Sequence, residues 1–433
     1  MDKVSKRTRF AWYLYDWANS AFVTSVITVF LGPYLTLIAS RSADLSGNLN
    51  FLGLEIYSES LFSYIVSFSV LLQVVFFPII GSYADSKNNK KSLLYIFAYF
   101  GSVFTIGMFF LTEKTIFLGS FLFVLANVLF GASIVMYNSL LLNISSFEER
   151  DKVSSMGWAF GYIGGGILLG LNIVLISLHE NFCITQEDAI RISFAMAGFW
   201  WLLFSFISHI NLKITRTNTS EIQSIEKISY VKKLTSTFKE IIKNKNALWF
   251  FLAFLFFNDA VQTVIIISTQ FGKRELNLGM DILILVVLLV QFLSFFGTLL
   301  VLKLSSKLKT KRTLIICLTI WCVIVVYAYL FLKDEVGFFI LAILISLVLG
   351  GTQAMSRALF SYFIPKNSEA QYFSFYEITE KGSSWIGPLT FGIILQITKS
   401  YRLAILSLIL FFVLGLIFLA KVRITEKVSG ENK

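Results

Sequence analysis

The fold is decided by the stretch Trp12-Tyr13-Leu14-Tyr15-Asp16-Trp17-Ala18-Asn19-Ser20-Ala21-Phe22, which opens a segment that stays apolar to about residue 39. A helix of this length can cross the hydrocarbon core of a bilayer. This segment contains Asp16 and Asn19, although placing a charged residue near the membrane centre costs roughly 2.5–3.5 kcal/mol. Steps of three and four residues place one polar stripe on this helix: Asp16, Asn19, Ser20, Thr24 and Thr28. The stripe predicts a water-filled cavity, or polar groups of other helices, beside it.

The composition indicates an integral membrane protein. Of the 433 residues, 56% are hydrophobic and 16% aromatic, and the mean hydropathy is +0.75. Soluble domains contain about 45–50% apolar residues. The basic residues behind the net charge of +11 are found in alternate loops. Enrichment of Lys and Arg in the cytoplasmic loops of a membrane protein explains this charge better than nucleic-acid binding does. The cysteines are too few and too scattered for a disulfide framework or a metal site: Cys183, Cys317 and Cys322.

Hydropathy predicts an all-α membrane protein with about twelve spans, at about 10–39, 58–84, 92–111, 116–143, 153–178, 190–212, 247–272, 281–303, 313–332, 337–364, 371–398 and 402–422. A polar segment divides them into two sets of six. The expected organisation is an N-terminal six-helix bundle over 1–212, a cytoplasmic linker over 213–246, and a C-terminal bundle with a short cytoplasmic tail over 247–433.

Lysine and arginine set the predicted orientation. They collect at the N-terminus, in the loop 85–91, in the middle segment, in 303–312 and in the tail, where Lys427 and Lys433 lie. The alternate loops carry few of them. Because cytoplasmic loops are enriched in basic residues, both termini are expected on the cytoplasmic side of a bacterial inner membrane.

The middle segment carries apolar residues at helical spacing, with lysines between them. A helix of this kind fits the anionic cytoplasmic leaflet; a solvated linker is the alternative. The apolar positions are Ile228, Val231, Leu234, Phe238 and Ile241, and the lysines are Lys232, Lys233, Lys239 and Lys243.

The two halves resemble diverged copies of one another. Asp16 is followed three residues later by Asn19, and Asp259 is followed three residues later by Gln262. Repeated halves with a binding site between them are typical of secondary transporters.

The loop after the second span resembles a signature of the major facilitator superfamily, Gly-x-x-x-Asp-x-x-Gly-Arg-Lys/Arg. Here it reads Gly81-x-x-x-Asp85-x-x-Asn88-Asn89-Lys90-Lys91. Asn88 replaces the glycine, and because Asn tolerates a left-handed backbone the turn is expected to survive. Asn89 replaces the arginine, so part of the charge network of this gate is absent from the pattern.

More specific stretches resemble the vacuole-effluxer (autophagy-related amino-acid permease) family of that superfamily. They keep the family's order along nearly the whole chain: Tyr15-Asp16-Trp17-Ala18-Asn19-Ser20, Tyr137-Asn138, Glu148-Glu149-Arg150, Val153-Ser154-x-x-Gly157-Trp158-Ala159-x-Gly161-Tyr162-x-Gly164-Gly165-Gly166, Phe257-Asn258-Asp259-x-x-Gln262-Thr263, Gly350-Gly351-Thr352-Gln353-Ala354-x-Ser356-Arg357 and Gly387-Pro388. The resemblance implies a major-facilitator fold with two pseudo-symmetric six-helix halves and alternating access. Fungal members are associated with amino-acid export from the vacuole, so a small polar solute, amino acids first, is the expected cargo.

In the fold that the resemblance implies, the first and seventh spans face each other across a central cavity. Asp16 and Asp259 are then candidates for binding a solute amine or a proton, with Asn19, Asn258 and Gln262 beside them. A carboxylate in a partly dry cavity can load and release protons near neutral pH. The alternative is that each carboxylate caps a helix break or pairs with a fixed cation.

Charged and polar residues also lie in the tenth and eleventh spans. Gln353 and Arg357 are one turn apart, and Arg357 could hold a solute carboxylate bidentately. Glu377 and Lys381 would neutralise each other, leaving Glu380 as a titratable group. The alternative is a cytoplasmic latch that forms and breaks as the cavity opens.

Further residues are assigned to the gate or to the cavity wall. Gly81, Asp85, Lys90 and Lys91 belong to the gate loop, and Gly387-Pro388 is expected to let the eleventh span bend. Tyr137, Asn138 and Trp158 are expected to line the cavity; the alternative for the aromatic residues is to anchor the helices at the membrane interface. Small residues at spacing four predict close helix packing: Gly157, Gly161, Gly165, Gly166 and Gly170.

An enzyme is the competing class. His179 and His209 are the only histidines, both lie near predicted span ends, and no metal-ligand spacing or phosphate-cradling loop is present. The sequence therefore predicts no enzyme, no cofactor and no metal. It predicts a monomer in a lipid bilayer whose partners are a small-molecule solute and protons, and not nucleic acid. A lipid-handling carrier of the same fold and a sensor without transport stay open.

Overall fold

The computed structural model describes residues 5–51, 53–214, 230–382 and 386–424, and these residues are almost entirely helical. The helices are, in chain order, α1 (Lys6–Ser42), α2 (Leu61–Lys87), α3 (Lys90–Phe110), α4 (Glu113–Ile144), α5 (Phe147–Ser177), α6 (Gln186–Asn211), α7 (Tyr230–Lys243), α8 (Lys245–Arg274), α9 (Met280–Leu308), α10 (Thr310–Leu330), α11 (Glu335–Ser361), α12 (Glu369–Gly382), α13 (Ile386–Thr398) and α14 (Tyr401–Lys421).

Within the described ranges, eleven helices are long and apolar enough to cross a membrane, namely all of these except α7, α12 and α13. Each coincides with a span predicted from hydropathy. The remaining predicted span, about 371–398, falls on α12 and α13. Residues 383–385, between those two helices, lie outside the described residues.

Buried apolar side chains form two separate clusters. The first is built by α1–α6, which we term the N bundle, and Ala370 of α12 joins it. The second is built by α8–α14, termed the C bundle, and Tyr162 of α5 and Ile241 of α7 join it. The bundles meet where α12 packs against α2 and α4, and where α5 packs against α9 and α11. The boundaries predicted for the two bundles, the linker and the tail stay a prediction. Residues 215–229 and 425–433, which include Lys427 and Lys433, lie outside the described residues.

A π-helical segment, Phe22–Phe30, interrupts α1 and changes its predicted polar stripe. The hydroxyl of Thr28 donates to the carbonyl of Val23, five residues earlier, at 2.9 Å. Asp16, Asn19 and Thr24 are buried, but Thr28 is exposed. The buried part of the stripe therefore ends at Thr24, within the π-helical segment, whose wider turns change the helical spacing of the residues that follow.

The loop between α1 and α2 contains a two-stranded hairpin that the sequence does not predict. Strand β1 (Asn48–Phe51) pairs antiparallel with β2 (Leu54–Tyr57). Asp44 stabilises the turn that leads into β1. Its carboxylate accepts hydrogen bonds from the backbone N–H groups of Ser46 and Asn48, each at 2.9 Å.

The predicted amphipathic helix is present as α7, and it contacts α2, α8 and α12. Ile241 is buried, whereas Phe238 and Ile242 are exposed. The Phe238 ring lies 6.1 Å from that of Phe375 in α12. Ile228 and the side chains of residues 230–235 lie outside the described residues. Contact of this helix with the leaflet stays a prediction.

The glycine ladder of α5 packs as predicted. A Cβ atom on Gly161 would lie 2.7 Å from the Ser20 hydroxyl, and one on Gly165 would lie 2.6 Å from the Thr24 hydroxyl. Gly166 points instead toward α9, where a Cβ would come within 3.2 Å of Gln291. Small residues therefore let α5 approach α1 on one face and α9 on the other.

The order of crossings generates a test of orientation. Exposed Cys183 follows α5, so five crossings place it on the side opposite the N-terminus. In a variant with Cys317→Ala and Cys322→Ala, a membrane-impermeant maleimide is expected to label Cys183 in intact bacterial cells. The matched control is Lys87→Cys in a cysteine-free chain, which should be labelled only after permeabilisation. The reverse pattern would refute cytoplasmic termini.

Candidate functional site

Arg357 of α11 reaches out of the C bundle into the N bundle. It is 2% exposed. Its Nε donates to the Ser154 hydroxyl at 2.9 Å, and its Nη2 donates to the Ser154 carbonyl at 2.7 Å. Its Nη1 donates to Oδ1 of Asn138 at 3.0 Å. A buried guanidinium is tolerated when its donors are satisfied, and here residues of the other bundle satisfy them.

Three aromatic rings of the N bundle surround the same guanidinium. Its Cζ lies 5.1 Å from the ring centroid of Trp12, 5.5 Å from Tyr137 and 5.4 Å from Trp158. We term these three residues the aromatic cage. Each distance is within the range of cation–π attraction. Gly157 leaves room for the cage, because a Cβ there would lie 2.6 Å from the Tyr137 hydroxyl and 3.1 Å from Nη2 of Arg357.

Asp16 supplies a negative charge beside the cage. Its Oδ2 accepts a hydrogen bond from the Tyr137 hydroxyl at 3.0 Å and lies 3.8 Å from Nη1 of Arg357. Asn19 Nδ2 donates to its Oδ1 at 3.5 Å and to the Tyr15 carbonyl at 2.9 Å. The structure thus places Asp16 opposite a cation of the other bundle, one of the alternatives that the sequence leaves open.

Glu377 and Lys381 of α12 also contact the N bundle. Asn138 Nδ2 donates to Oε1 of Glu377 at 2.7 Å, so Asn138 links Arg357 to Glu377. The Nζ of Lys381 lies 5.1 Å from the ring of Phe130 and 5.6 Å from that of Phe77. These contacts between bundles favour the latch interpretation of Glu377 and Lys381.

A small cavity of the C bundle, closed on one side by Trp158 of the N bundle, is lined by most of the remaining predicted site residues. Its walls are aromatic and aliphatic with a few polar groups: Trp158, Phe254, Phe257, Asn258, Val261, Thr352, Gln353, Ser356, Tyr376 and Glu380. Tyr162 donates to Gln353 Oε1 at 2.5 Å, and Asn258 Nδ2 donates to the Glu380 carbonyl at 3.1 Å. In the described part of the chain the buried Nε1 of Trp158 has no acceptor.

Asp259 lies apart from Asp16, against α13. It is 0% exposed, no cation pairs with it among the described residues, and the backbone N–H of Gly387 is the hydrogen-bond donor beside its carboxylate. A Cβ on Gly387 would lie 3.0 Å from its Oδ2 and 2.2 Å from the Thr263 hydroxyl. Gly387, which precedes Pro388, therefore allows α13 to approach α8 closely. Gln262 of α8 is only partly buried.

The gate loop binds the start of α12. Asp85 accepts hydrogen bonds from the backbone N–H groups of Ala370 at 3.1 Å and Gln371 at 2.9 Å. Lys90 Nζ lies 2.9 Å from Asp85 Oδ1 and 2.5 Å from Glu369 Oε2. A carboxylate at a helix N-terminus is stabilised by the orphan N–H groups and by the helix dipole. The three buried charges therefore join the N bundle to α12.

Close packing and a special backbone turn support the gate loop. A Cβ on Gly81 would lie 2.2 Å from the Ser374 hydroxyl, so α2 and α12 nearly touch. Asn88 has φ 47° and ψ 43°, which confirms the left-handed turn predicted for it. Lys91, also assigned to the gate, is partly buried at the start of α3.

A second connection on the same side was missed in the sequence. The Asp151 carboxylate accepts from the hydroxyl of Thr310 at 2.8 Å and from that of Tyr362 at 3.1 Å. Arg150 donates to the Ser361 carbonyl at 2.7 Å. The run Glu148-Glu149-Arg150-Asp151 was the available signal. Ser154 and Trp12, the partners of Arg357, were missed because nothing local marks an apolar or hydroxyl side chain as a partner of a distant charge.

The contacts between the bundles made by Arg357, Asp85 and Asp151 all lie on the side of the termini. Two ion pairs of the opposite side, Arg41–Glu187 at 2.6 Å and Arg402–Glu275 at 2.9 Å, each join residues of a single bundle. The bundles are thus closed against each other on the side of the termini.

The chain resembles known membrane proteins over nearly its whole length. The family model described as vacuole effluxer Atg22 like matches residues 4–146 and 142–429. An uncharacterized MFS-type transporter, YxiO of Bacillus subtilis, is 29% identical over 414 residues, covering 95% of this chain and 93% of that protein. Autophagy-related protein 22 of Eremothecium gossypii is 25% identical over 458 residues, covering 94% and 89%.

Solved structures show the same fold. The proton:xylose symporter XylE superposes with a TM-score of 0.73 at 12% identity, covering 96% of this chain and 95% of that one. FucP in the outward conformation gives a TM-score of 0.69 at 14% identity, covering 98% and 100%. These likenesses confirm the predicted major-facilitator fold.

The gate loop yields a prediction for Asp85→Asn. Removing one partner of a buried ion pair costs about 3–5 kcal/mol, which should favour separation of α2 from α12. Ser374 is fully buried beside Gly81. In a cysteine-free chain carrying Ser374→Cys, maleimide labelling is therefore expected to be at least about tenfold faster with Asp85→Asn. The exposed carboxylate Glu148, on the same side, provides the control Glu148→Gln. Equal labelling rates in all backgrounds would show that Asp85 does not hold the gate closed.

Proposed function

This chain belongs to the vacuole effluxer Atg22-like family of the major facilitator superfamily, and we propose that it moves small polar solutes, amino acids first among them, by alternating access. It is a multi-pass membrane transport protein. We place it in a bacterial inner membrane with both termini in the cytoplasm, working as a monomer. The moving units are the bundles 1–212 and 247–433, joined by the linker 213–246.

The observation that carries this proposal is the polar character of the contact between the bundles. Each bundle has its own apolar cluster. The bundles are joined through hydrogen bonds and ion pairs, of which those of Arg357 and Asp85 are the most buried. Ion pairs taken from water return little net stability. Such a contact can break and re-form without unfolding either bundle.

The charges at the cavity and next to it support a zwitterionic solute: Glu380 lines the cavity, and Glu377 and Arg357 directly follow the lining residues Tyr376 and Ser356. Glu377 and Glu380 offer carboxylates for an ammonium group, and Arg357 offers a guanidinium for a carboxylate. Asn258 and Gln353 add neutral hydrogen-bonding groups, and aromatic rings add apolar contact. Because Arg357 is held by the N bundle in the closed state, it receives a solute carboxylate only after the bundles separate on this side.

Asp259 is the carboxylate best suited to proton coupling. Burying a charge without an opposite charge beside it is costly, and Asp259 is fully buried with only the backbone of Gly387 to donate to it and no cation beside it in the described ranges. Closing the protein around it therefore favours proton uptake, and letting water in favours release. Asp16 is paired with Tyr137 and Arg357 and is less suited. Glu380 lines the cavity and stays a second candidate.

Reconstituted protein tests the proposal directly. Wild-type proteoliposomes are expected to accumulate one or more members of a labelled amino-acid panel when an inward proton gradient is imposed. With Asp259→Asn, gradient-driven accumulation should fall at least about tenfold while exchange across the membrane continues, because a permanently neutral side chain permits cycling but carries no proton. The control Asp281→Asn changes an exposed carboxylate at the start of α9 and should behave as wild type.

Two results would contradict this account. Full accumulation by Asp259→Asn would remove Asp259 as the coupling group. Failure of folded wild-type protein to take up any amino acid would remove amino acids as the cargo and favour another solute class or a sensor.

A further inference from the structure

The aromatic cage is made by one bundle and filled by the other. Trp12, Tyr137 and Trp158 come from α1, α4 and α5 of the N bundle, and the cation among them, Arg357, comes from α11 of the C bundle. Any movement that separates the bundles on the side of the termini must withdraw this guanidinium. The question is what the emptied cage then binds.

Two walls of the cage, Trp12 and Tyr137, are held in place without Arg357. The rings of Trp12 and Tyr137 are stacked at 4.1 Å with an angle of 10°. Trp12 Nε1 donates to the Tyr137 carbonyl at 3.0 Å, and the Tyr137 hydroxyl donates to Asp16 at 3.0 Å. All of these contacts lie within the N bundle. They should therefore survive when α11 moves away, leaving these two walls pre-organised. Trp158 also packs against the C-bundle cluster, and within α5 its ring lies 6.2 Å from that of Tyr162.

The emptied cage would expose groups that favour a cation. The Ser154 hydroxyl and carbonyl, Asn138 Oδ1 and the Asp16 carboxylate would lose their common partner. Three ring faces would lose their cation at the same time. Aromatic faces combined with a carboxylate recognise ammonium and guanidinium groups, and the geometry already accommodates a guanidinium.

We propose that, once the bundles separate on the side of the termini, the aromatic cage binds the ammonium or guanidinium group of the transported solute in the place left by Arg357. This inference rests on the proposed alternating access, because the cage is empty only in the separated state. It narrows the cargo to solutes that carry a cationic group. It also makes solute binding and the closed position of Arg357 mutually exclusive, so the tethered guanidinium and the solute cation compete for one site.

The experiment uses Arg357→Ala in lipid nanodiscs, in which the cage is vacant whatever the position of α11. Methylguanidinium and tetramethylammonium chloride serve as probes, with sodium chloride at equal ionic strength and xylose as references. Saturable binding, read by tryptophan fluorescence and by calorimetry, is expected to be at least tenfold tighter than to wild type. Adding Trp158→Ala or Asp16→Asn should weaken it at least tenfold. Arg357→Gln, which keeps a polar side chain, provides a second vacant-cage variant if Arg357→Ala is unstable.

A matched control is Lys381→Ala, which removes the cation lying over Phe77 and Phe130 but leaves the aromatic cage filled. It should bind the probes no better than wild type. Equal, weak binding by folded wild type, Arg357→Ala and Arg357→Gln would overturn the inference, as would binding that is indifferent to Trp158→Ala and Asp16→Asn.

Transport assays separate this inference from the proposed function. Probe binding by the vacant-cage variants, with no solute uptake by wild type, would keep the cage and reject the transport proposal. Amino-acid uptake by wild type, with no probe binding by those variants, would keep transport and reject the cage.

Discussion

The rest of the structure depends on the placement of the Arg357 guanidinium, which belongs to the C bundle but is neutralised and hydrogen-bonded by the N bundle. Within a bilayer, apolar surfaces of two helix bundles gain little by leaving lipid, so polar contacts and close packing hold them together. An unpaired guanidinium there is costly. Arg357 therefore needs hydrogen-bond acceptors, either those of the N bundle or those of water and solute. When water is excluded from the interface, only the N-bundle acceptors are available, and this favours the closed state.

The other contacts on the side of the termini follow the same rule. Lys90 is placed between Asp85 and Glu369, and Asp85 caps α12. Asp151 accepts a hydrogen bond from the side-chain hydroxyl of Thr310, the first residue of α10. Charges of one bundle thus meet helix ends or charges of the other. Glycines such as Gly81 bring the backbones near enough for these short contacts. In the proposed mechanism these contacts between the bundles persist while water is excluded and break when water competes for their hydrogen bonds.

Much of this could be predicted from the chain because membrane spans have a strong signal: long apolar runs, basic loops and polar residues such as Asp16 and Asp259 that lipid does not tolerate. Asn88 revealed its left-handed turn through a family signature. The π turn that exposes Thr28 could not be predicted, since it depends on packing around α1. Nor could the partners of Arg357 be found. Asn138 and Ser154 lie 219 and 203 residues before it, Trp12 lies still farther away, and the pairing exists only in three dimensions.

Alternating closure of the two sides of the membrane can be measured as distances between spin labels. One pair joins Lys87→Cys and Lys366→Cys on the side of the termini; the other joins Asn181→Cys and Lys333→Cys on the opposite side, all exposed positions. In nanodiscs, pulsed electron paramagnetic resonance should show two populations for each pair. Across a pH series and with Asp85→Asn, the first distance should lengthen as the second shortens. A single unchanging population, or lengthening of both distances together, would contradict alternating access.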